Sequence, residues 1–256
     1  MRNILLICNK EIKSYFASPI AYLLMAFFGL IFGFGFFTAT RDFVRFSFQA
    51  QMMGQQQPMN VNDQIIRPLL GFASTIALFL VPMITMRLIA EEKRTGTIEL
   101  LFTLPITTLE AVLGKFLAAW AFLALAILLS FPMIITVAFL GKPDWGVLVT
   151  GYLGSILAAG AYMGVCSLTS ALTKNQVISF ILSALVCFVI VLLGWSVFNG
   201  ALGAVLPQSL VDLLANFSFT THFEAFTKGI VDPKDVVYFL SVTAFALFLN
   251  VVALER

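Results

Sequence analysis

The sequence is poor in charge, in histidine and in cysteine. Asp, Glu, Lys and Arg make up 11% of the chain, whereas 60% of its residues are hydrophobic. Soluble domains contain about 25% charged residues, so this composition excludes a water-soluble protein. The net charge of +2 is too small to indicate nucleic acid as a partner. We therefore expect an integral membrane protein whose surroundings are the lipid bilayer.

The few reactive side chains exclude several kinds of site. Cys8, Cys166 and Cys187 lack the spacing of a disulfide or zinc framework. The single histidine, His222, has one carboxylate nearby at Glu224, and these two cannot complete a metal coordination shell. A hydrogen-bonding role for His222 is favoured over a metal site or a proton relay. We expect no catalytic residue, no metal and no cofactor bound by this chain.

A phosphate-binding loop is also absent from the sequence. Gly114-Lys115 is followed by Phe116, and Gly141-Lys142 by Pro143. Neither pair has the preceding glycine or the following Ser or Thr that such a loop requires. If ATP drives this protein, then ATP and Mg must bind to a separate partner chain.

Six apolar runs reach the length of about 20 residues that a membrane-spanning helix needs. They cover residues 19–40, 68–87, 113–140, 147–172, 177–198 and 236–254. Residues 3–17 precede them and have the pattern of an amphipathic helix that lies in the membrane interface. Pro132 is expected to kink the third run. We predict an all-α membrane protein with one transmembrane domain over residues 1–256.

Ionisable residues are missing from the interior of these runs. Only Arg87 and Lys115 fall within them, near the ends, and we count both with the flanking segments. Ion-coupled carriers usually contain intramembrane charges, so a secondary carrier or passive channel is disfavoured but stays an alternative. Glycines in the first run (Gly29, Gly33) and in the fourth (Gly151, Gly154, Gly160, Gly164) are expected to serve close helix packing.

The distribution of Lys and Arg predicts the orientation. Nine lie on the side of the two termini, at Arg2, Lys10, Lys13, Arg87, Lys93, Arg94, Lys115, Lys174 and Arg256. Six lie on the other side, at Arg41, Arg45, Arg67, Lys142, Lys228 and Lys234. This bias places both termini in the cytoplasm.

Two segments on the opposite side are longer than turns. Residues 41–67 include a polar run from Gln49 to Gln57 and are interpreted as a flexible extracytoplasmic loop. Residues 199–234 are too apolar for a free loop and are interrupted by Pro207 and Asp212. Non-helical backbone at membrane depth is tolerated where protein buries it, so we predict short re-entrant helices there.

The longest charged passage is the segment 91–107, E-E-K-R-T-G-T-I-E-L-L-F-T-L-P-I-T. The pattern predicts a turn, then a short helix that begins at Ile98 with Thr97 as its N-cap. Glu99 suits the first turn of that helix, which must end before Pro105. A second helix then starts after Thr107, whose capping box is completed by Glu110. An ordinary solvated loop is the alternative, because basic cytoplasmic loops are common.

This segment resembles the coupling segment of type-2 ABC exporter permeases, in which a cytoplasmic helix contacts a separate ATPase. Further similarity lies in K-E-I-K-S-Y-F-A-S-P (10–19), V-P-M-I-T-M-R (81–87), L-G-K-F (113–116) and T-H-F-E (221–224). It continues through G-I-V-D (229–232) to Y-F-L-S (238–241). These stretches are similar to the permease of the gliding-motility-associated ABC transporter, and together they cover nearly the whole chain.

The resemblance implies a permease subunit in the bacterial cytoplasmic (inner) membrane, with no ATPase activity of its own. Its implied partners are a dimer of cytoplasmic ATPase subunits and a second permease copy, identical or paralogous. This branch often works beside a membrane protein with a large extracytoplasmic domain. The implied coupling residues are Glu91, Glu92, Arg94, Gly96, Thr97, Glu99, Leu100, Leu101 and Pro105. A membrane scaffold of a motility or secretion system, without transport of its own, is the alternative.

The predicted topology can be tested by labelling single cysteines. Cysteine at Thr95 should react only from the cytoplasmic side, and cysteine at Gln55 only from outside, because the second span separates them. An impermeant maleimide applied to intact cells measures this, and permeabilised cells, where both should react, are the control. Labelling of both positions in intact cells would contradict six spans.

Overall fold

The computed structural model describes residues 2–53, 60–97, 106–141, 143–204 and 206–255, and within these ranges every regular element is helical. The first six helices are α1 (Arg2–Ala17), α2 (Pro19–Met52), α3 (Arg67–Thr85), α4 (Ala90–Thr95), α5 (Thr108–Leu128) and α6 (Phe131–Leu140). The next six are α7 (Trp145–Leu172), α8 (Gln176–Leu192), α9 (Ser196–Gly203), α10 (Gln208–Ala215), α11 (Phe219–Thr227) and α12 (Pro233–Glu255). A π-helical segment, Asn62–Ile66, leads into α3.

Helix length and apolarity in the described residues fit five single membrane spans and one bent pair. The bent pair is α8 followed by α9, which turn by 72° relative to each other. If this pair counts as one span, the total is six. The prediction of an all-α, multi-pass membrane protein is therefore confirmed.

The helix α2 is longer than the apolar run that predicted it. Arg41 to Met52 continue the helix, and Asn62–Ile66 are helical as well, so the interpretation of 41–67 as a flexible loop is wrong for these residues. Residues 41–52 contain polar side chains but no Gly or Pro. Polar side chains alone do not end a helix, because their intrinsic helix propensity is adequate. The positions 54–59 lie outside the described residues.

The third predicted run is interrupted, as expected, close to Pro132. The helix α5 ends at Leu128 and α6 begins at Phe131, with Pro132 in its first turn. Ser130 lies between the two helices. Its hydroxyl donates a hydrogen bond to the Ile127 carbonyl oxygen at 2.6 Å and lies 2.6 Å from the Tyr152 hydroxyl. The break is thus fastened to α7 through Tyr152.

The helix α7 is the centre of the fold, and its four glycines each face a different neighbour. A Cβ on Gly151 would lie 2.3 Å from Leu70 of α3, and one on Gly154 would lie 2.5 Å from Phe226 of α11. The corresponding distances at the other two are 3.2 Å for Gly160 (Trp120 of α5) and 3.4 Å for Gly164 (Ala246 of α12). The predicted packing role is confirmed for all four, because α7 admits close neighbours on several faces.

The glycines of α2 differ from one another. Gly33 would meet Met133 at 3.3 Å, but no described atom of this chain lies within 4 Å of a Cβ on Gly29. The packing role is therefore confirmed for Gly33 and stays a prediction for Gly29.

Polar side chains add links between α7 and its neighbours. Asn250 of α12 donates to the Ser167 hydroxyl at 3.1 Å, and Trp120 of α5 donates to the Ile156 carbonyl at 2.9 Å. The Thr150 hydroxyl donates to the Phe226 carbonyl of α11 at 3.0 Å. Each such bond stabilises a membrane protein by about 0.6 kcal/mol on average. These hydrogen bonds therefore add modestly to the close helix packing that the glycines allow.

Gly154→Ala should lower the thermal midpoint of the purified protein. The added methyl would overlap the Cβ and Cγ atoms of the buried Phe226, and overpacking of this kind costs about 1–3 kcal/mol. Gly71→Ala in α3 is the matched control, because nothing lies within 4 Å of that position. The control should keep or slightly raise the midpoint, since alanine is the better helix former. Equal midpoints for the two variants would show that α7 and α11 are not closely packed.

Candidate functional site

The short helix α4 is capped by a side chain from the end of α7. The Ser170 hydroxyl accepts hydrogen bonds from the backbone N–H groups of Ile89 (3.3 Å) and Ala90 (3.1 Å). The first N–H groups of a helix have no partner within the helix, so a serine from another element can satisfy them. Glu91 and Glu92 in the first turn and Lys93 and Arg94 in the last complement the helix dipole.

This helix corrects the sequence-based interpretation of Glu91 to Arg94 as a turn. The residues are good helix formers, and their charges are ordered as a helix prefers. The cap that starts the helix comes from Ser170, which is 80 residues away in the chain from Ala90. No local pattern could therefore have indicated where α4 begins.

A buried lysine connects α4 with α1 and α5. Lys115 in the first turns of α5 is only 5% exposed. Its Nζ lies 2.6 Å from Glu92 Oε1, 3.3 Å from the Leu88 carbonyl oxygen and 3.5 Å from Glu11 Oε1. A buried ammonium is stable only where it is paired and hydrogen-bonded, so these three oxygens account for its position. No pattern in the sequence predicted that Lys115 is buried in an ion cluster.

A second lysine fastens α4 to α7. The Lys93 ammonium donates to the carbonyl oxygen of Ala171, next to the C-terminus of α7. That end of a helix carries partial negative charge and unpaired carbonyls, so a cation is favourable there. Together Ser170 and Ala171 hold both the start and the middle of α4 on α7.

The helix α4 ends at a glycine. Gly96 has φ of +74° in the left-handed region, which only glycine adopts without cost. The Thr95 hydroxyl donates to the Glu91 carbonyl at 2.9 Å and lies 3.0 Å from the Thr97 hydroxyl. The chain therefore leaves the helical path of α4 at Gly96.

The predicted capping box at the start of α5 is confirmed. The Thr107 hydroxyl accepts from the Glu110 N–H at 3.2 Å, and the Glu110 carboxylate accepts from the Thr107 N–H at 3.3 Å. The same carboxylate accepts from the Asn3 side chain of α1 at 3.1 Å. The helix α1 is therefore joined to α5 through Asn3 as well as through Lys115.

The predicted coupling residues divide into two groups. The structure describes Glu91, Glu92, Arg94, Gly96 and Thr97, all of them on α4 or in the turn after it. Glu92 points to Lys115 in the interior, whereas Arg94 is exposed. The remaining four, at Glu99, Leu100, Leu101 and Pro105, lie outside the described residues, as does the predicted helix from Ile98.

The helix α1 lies against α5 with one face. A Cβ on Gly114 would come within 2.7 Å of Ile7, and Tyr15 packs on Phe122 with ring centroids 5.4 Å apart. Burial raises the pKa of Tyr15 far above its usual range, and the negative charge of Glu11 raises it further. The opposite face carries Leu5 and Leu6, which are 68% and 58% exposed.

A cavity of about 360 Å³ opens between α1, α2, α3, α4 and α5. Its wall includes Glu11, Glu92 and Lys115, the three residues of the buried ion cluster. This cavity could not be predicted from sequence patterns, because its lining comes from segments as far apart as Lys10 and Phe122.

His222 lies at the other end of the molecule, in a fixed hydrogen-bonding position. Its Nδ1 is 2.7 Å from Asp235 Oδ1, its Nε2 is 2.9 Å from the Asn216 carbonyl oxygen, and its ring stacks on Tyr238 at 3.8 Å. The favoured hydrogen-bonding role is confirmed, but the carboxylate is Asp235 rather than Glu224. Among the described residues, no three His, Cys, Asp or Glu side chains are grouped as a metal site would require.

The fold and this arrangement define a class of protein. A multi-pass helical bundle carries a small charged helix, held on the ends of two spans, and the chain contains no nucleotide-binding loop of its own. Residues 5–254 match the ABC-2 family of transporter proteins, and the chain belongs to that family. It is therefore a membrane subunit of an ABC transporter. Members of this family are usually non-catalytic and work with an ABC ATPase. A comparison with curated proteins gave no match.

Glu92→Gln should destabilise the protein, whereas Glu91→Gln should not. The first change removes the shortest of the charge-assisted bonds to the buried Lys115, and a bond of this type contributes about 1.5–3 kcal/mol. Glu91 has no ion pair among the described residues, and surface changes usually stay within about 0.5 kcal/mol. Thermal unfolding of both variants in the same detergent measures the difference. A Glu92→Gln variant as stable as Glu91→Gln would refute the role given to Lys115.

Proposed function

We propose that the chain is the permease subunit of an ABC exporter, and that a cytoplasmic ATPase docks on segment 91–107. The observation that supports this most directly is the attachment of α4 to two spans at once. Ser170 and Ala171 hold α4 on α7, and Lys115 holds it on α5. A partner that displaces α4 therefore displaces two membrane helices.

The coupling residues would have separate tasks. Glu92 faces inward to Lys115 and transmits the displacement, whereas Arg94 is exposed and available to the ATPase. Gly96 and Thr97 set the turn after α4. Leu100 and Leu101 supply the apolar contact, and Glu91 and Glu99 supply charges around it. Pro105 ends the segment. ATP and Mg bind to the partner ATPase, since this chain lacks a phosphate loop.

The end of the molecule with α1 and α4 faces the cytoplasm in this proposal, and the membrane is the bacterial inner membrane. The excess of Lys and Arg on that side supports the orientation. Six spans cannot easily enclose a pathway and also receive two ATPase subunits. A second permease copy, identical or paralogous, therefore completes the transporter, with the pathway between the two copies.

The similarity of 10–19, 81–87 and 221–241 to the gliding-motility permeases supports that subtype, in which export serves a motility or secretion system. A membrane protein with a large extracytoplasmic domain would then be an additional partner. Mass spectrometry of the proteins that co-purify with this chain identifies the ATPase, the second permease and any such component in one experiment.

Leu101→Asp should uncouple the complex, whereas Leu101→Met should not. The energy of an interface is concentrated in a few buried side chains. An unpaired carboxylate in such a contact costs about 3–5 kcal/mol, but a volume-conserving apolar change costs less than about 1.5 kcal/mol. ATPase activity and retention of the partner, both measured in nanodiscs, report the effect.

Lys174→Ala is the charge control for this experiment. Lys174 is exposed at the same end of the molecule and has no ion pair among the described residues, so its loss should change ATPase activity by less than about twofold. Lys93 is unsuitable as a control, because its ammonium binds the Ala171 carbonyl. If Leu101→Asp keeps both the partner and its stimulated ATPase activity, then 91–107 is not the ATPase docking site.

A further inference from the structure

The cavity beside α1 is lined by both apolar and charged side chains. Its buried lining includes apolar residues of three spans, Ala21 and Leu24 of α2, Ile84 of α3 and Phe122 of α5, together with the charged Lys115. Its exposed lining includes the cations Lys10 of α1 and Arg87, which follows α3. A volume of about 360 Å³ falls in the range of ligand sites, about 300–1,000 Å³. The site therefore suits a ligand with one polar and one apolar end.

The charges in the lining are not all engaged with one another. Lys115, Glu92 and Glu11 form the buried cluster. Arg87 has no ion pair among the described residues. The Lys10 ammonium forms a long ion pair with Glu11 Oε1 at 3.6 Å, and its side chain is 73% exposed. Two cations at the cavity are thus available to an anionic group. Arginine in particular binds phosphate oxygens in a planar, two-point manner.

The surroundings of the cavity place it at the surface of a membrane. Leu5 and Leu6 are exposed on α1, and Tyr22 and Leu23 are exposed at 56% and 66% on the first turns of α2. Exposed apolar side chains next to charged ones are typical of a helix that lies at the headgroup and acyl boundary. Phospholipid phosphates lie at that level, and Lys and Arg side chains of membrane proteins bind them.

We propose that this cavity binds the phosphate headgroup of a membrane phospholipid from the leaflet at the α1 end. Lys10 and Arg87 contact the phosphate, and an acyl chain follows the apolar lining of α2. Three cations (Lys10, Arg87, Lys115) and three carboxylates (Glu11, Glu91, Glu92) line the cavity, so its formal charge is zero. This balance favours a zwitterionic headgroup such as phosphoethanolamine. The bound lipid lies against α1 and α4 together, a role beyond the proposed export function.

Native mass spectrometry of the full-length protein, titrated with phosphatidylethanolamine in detergent, tests this proposal. The double variant Lys10→Gln, Arg87→Gln should bind the lipid at least about tenfold more weakly, because it loses the charge-assisted contacts to the phosphate. Lys13→Gln is the matched control, since Lys13 is exposed on α1 and does not line the cavity. Its affinity should stay within about twofold of the unmodified protein.

A second variant tests the cavity without a change of charge. Ser14 lines the cavity and is exposed on α1, so Ser14→Trp fills the space with little demand on the fold, and it should also reduce lipid binding. Unchanged binding in both the double variant and Ser14→Trp would overturn the proposal. An equal loss of lipid binding in Lys13→Gln would also overturn the proposal, because the lipid would then be attracted by the positive charge of α1 in general and not by the cavity. Inorganic phosphate or glycerophosphoethanolamine that competes at equal concentration would show a free-phosphate site instead. Tighter binding of phosphatidylglycerol would contradict the zwitterionic assignment.

Discussion

The buried ammonium of Lys115 is the interaction on which the arrangement at the α1 end depends. An isolated charge at that depth would be unstable, and its neighbours come from three different elements: Glu11 on α1, Glu92 on α4 and the Leu88 carbonyl before α4. Breaking a buried pair by removal of one partner is far more costly than never forming it. The three elements are therefore positioned together, because moving any one of them would leave the Lys115 ammonium with an unpaired charge.

The interior of the membrane domain follows a different rule, in which small size replaces charge. Lipid tails are as apolar as the helices, so close contact rather than apolarity holds the spans together. The glycines of α7 provide that contact on several faces, and hydroxyl and amide groups such as Ser167 and Asn250 add bonds between the helices. Charge organises one end of the molecule, while small residues organise its middle.

Most of the membrane domain could be predicted from the sequence, because length and apolarity alone decide whether a helix spans a bilayer. A local signal was also reliable, as the Thr107–Glu110 capping box shows. What could not be predicted depends on residues far apart in the chain. The cap of α4 by Ser170, the partner of His222 at Asp235 and the cluster around Lys115 all arise from tertiary packing. The continuation of α2 to Met52 was missed for another reason: polarity marks the membrane boundary but not the end of a helix.

The helix α7 has 28 residues and is thus about 42 Å long, more than the hydrocarbon thickness of about 30 Å. One end holds α4 through Ser170 and Ala171, and near the other end Thr150 bonds to the Phe226 carbonyl of α11. In this way α7 joins α4 to α11 directly, with no loop between the two attachment points. The two sides of the membrane are therefore connected by a single continuous helix.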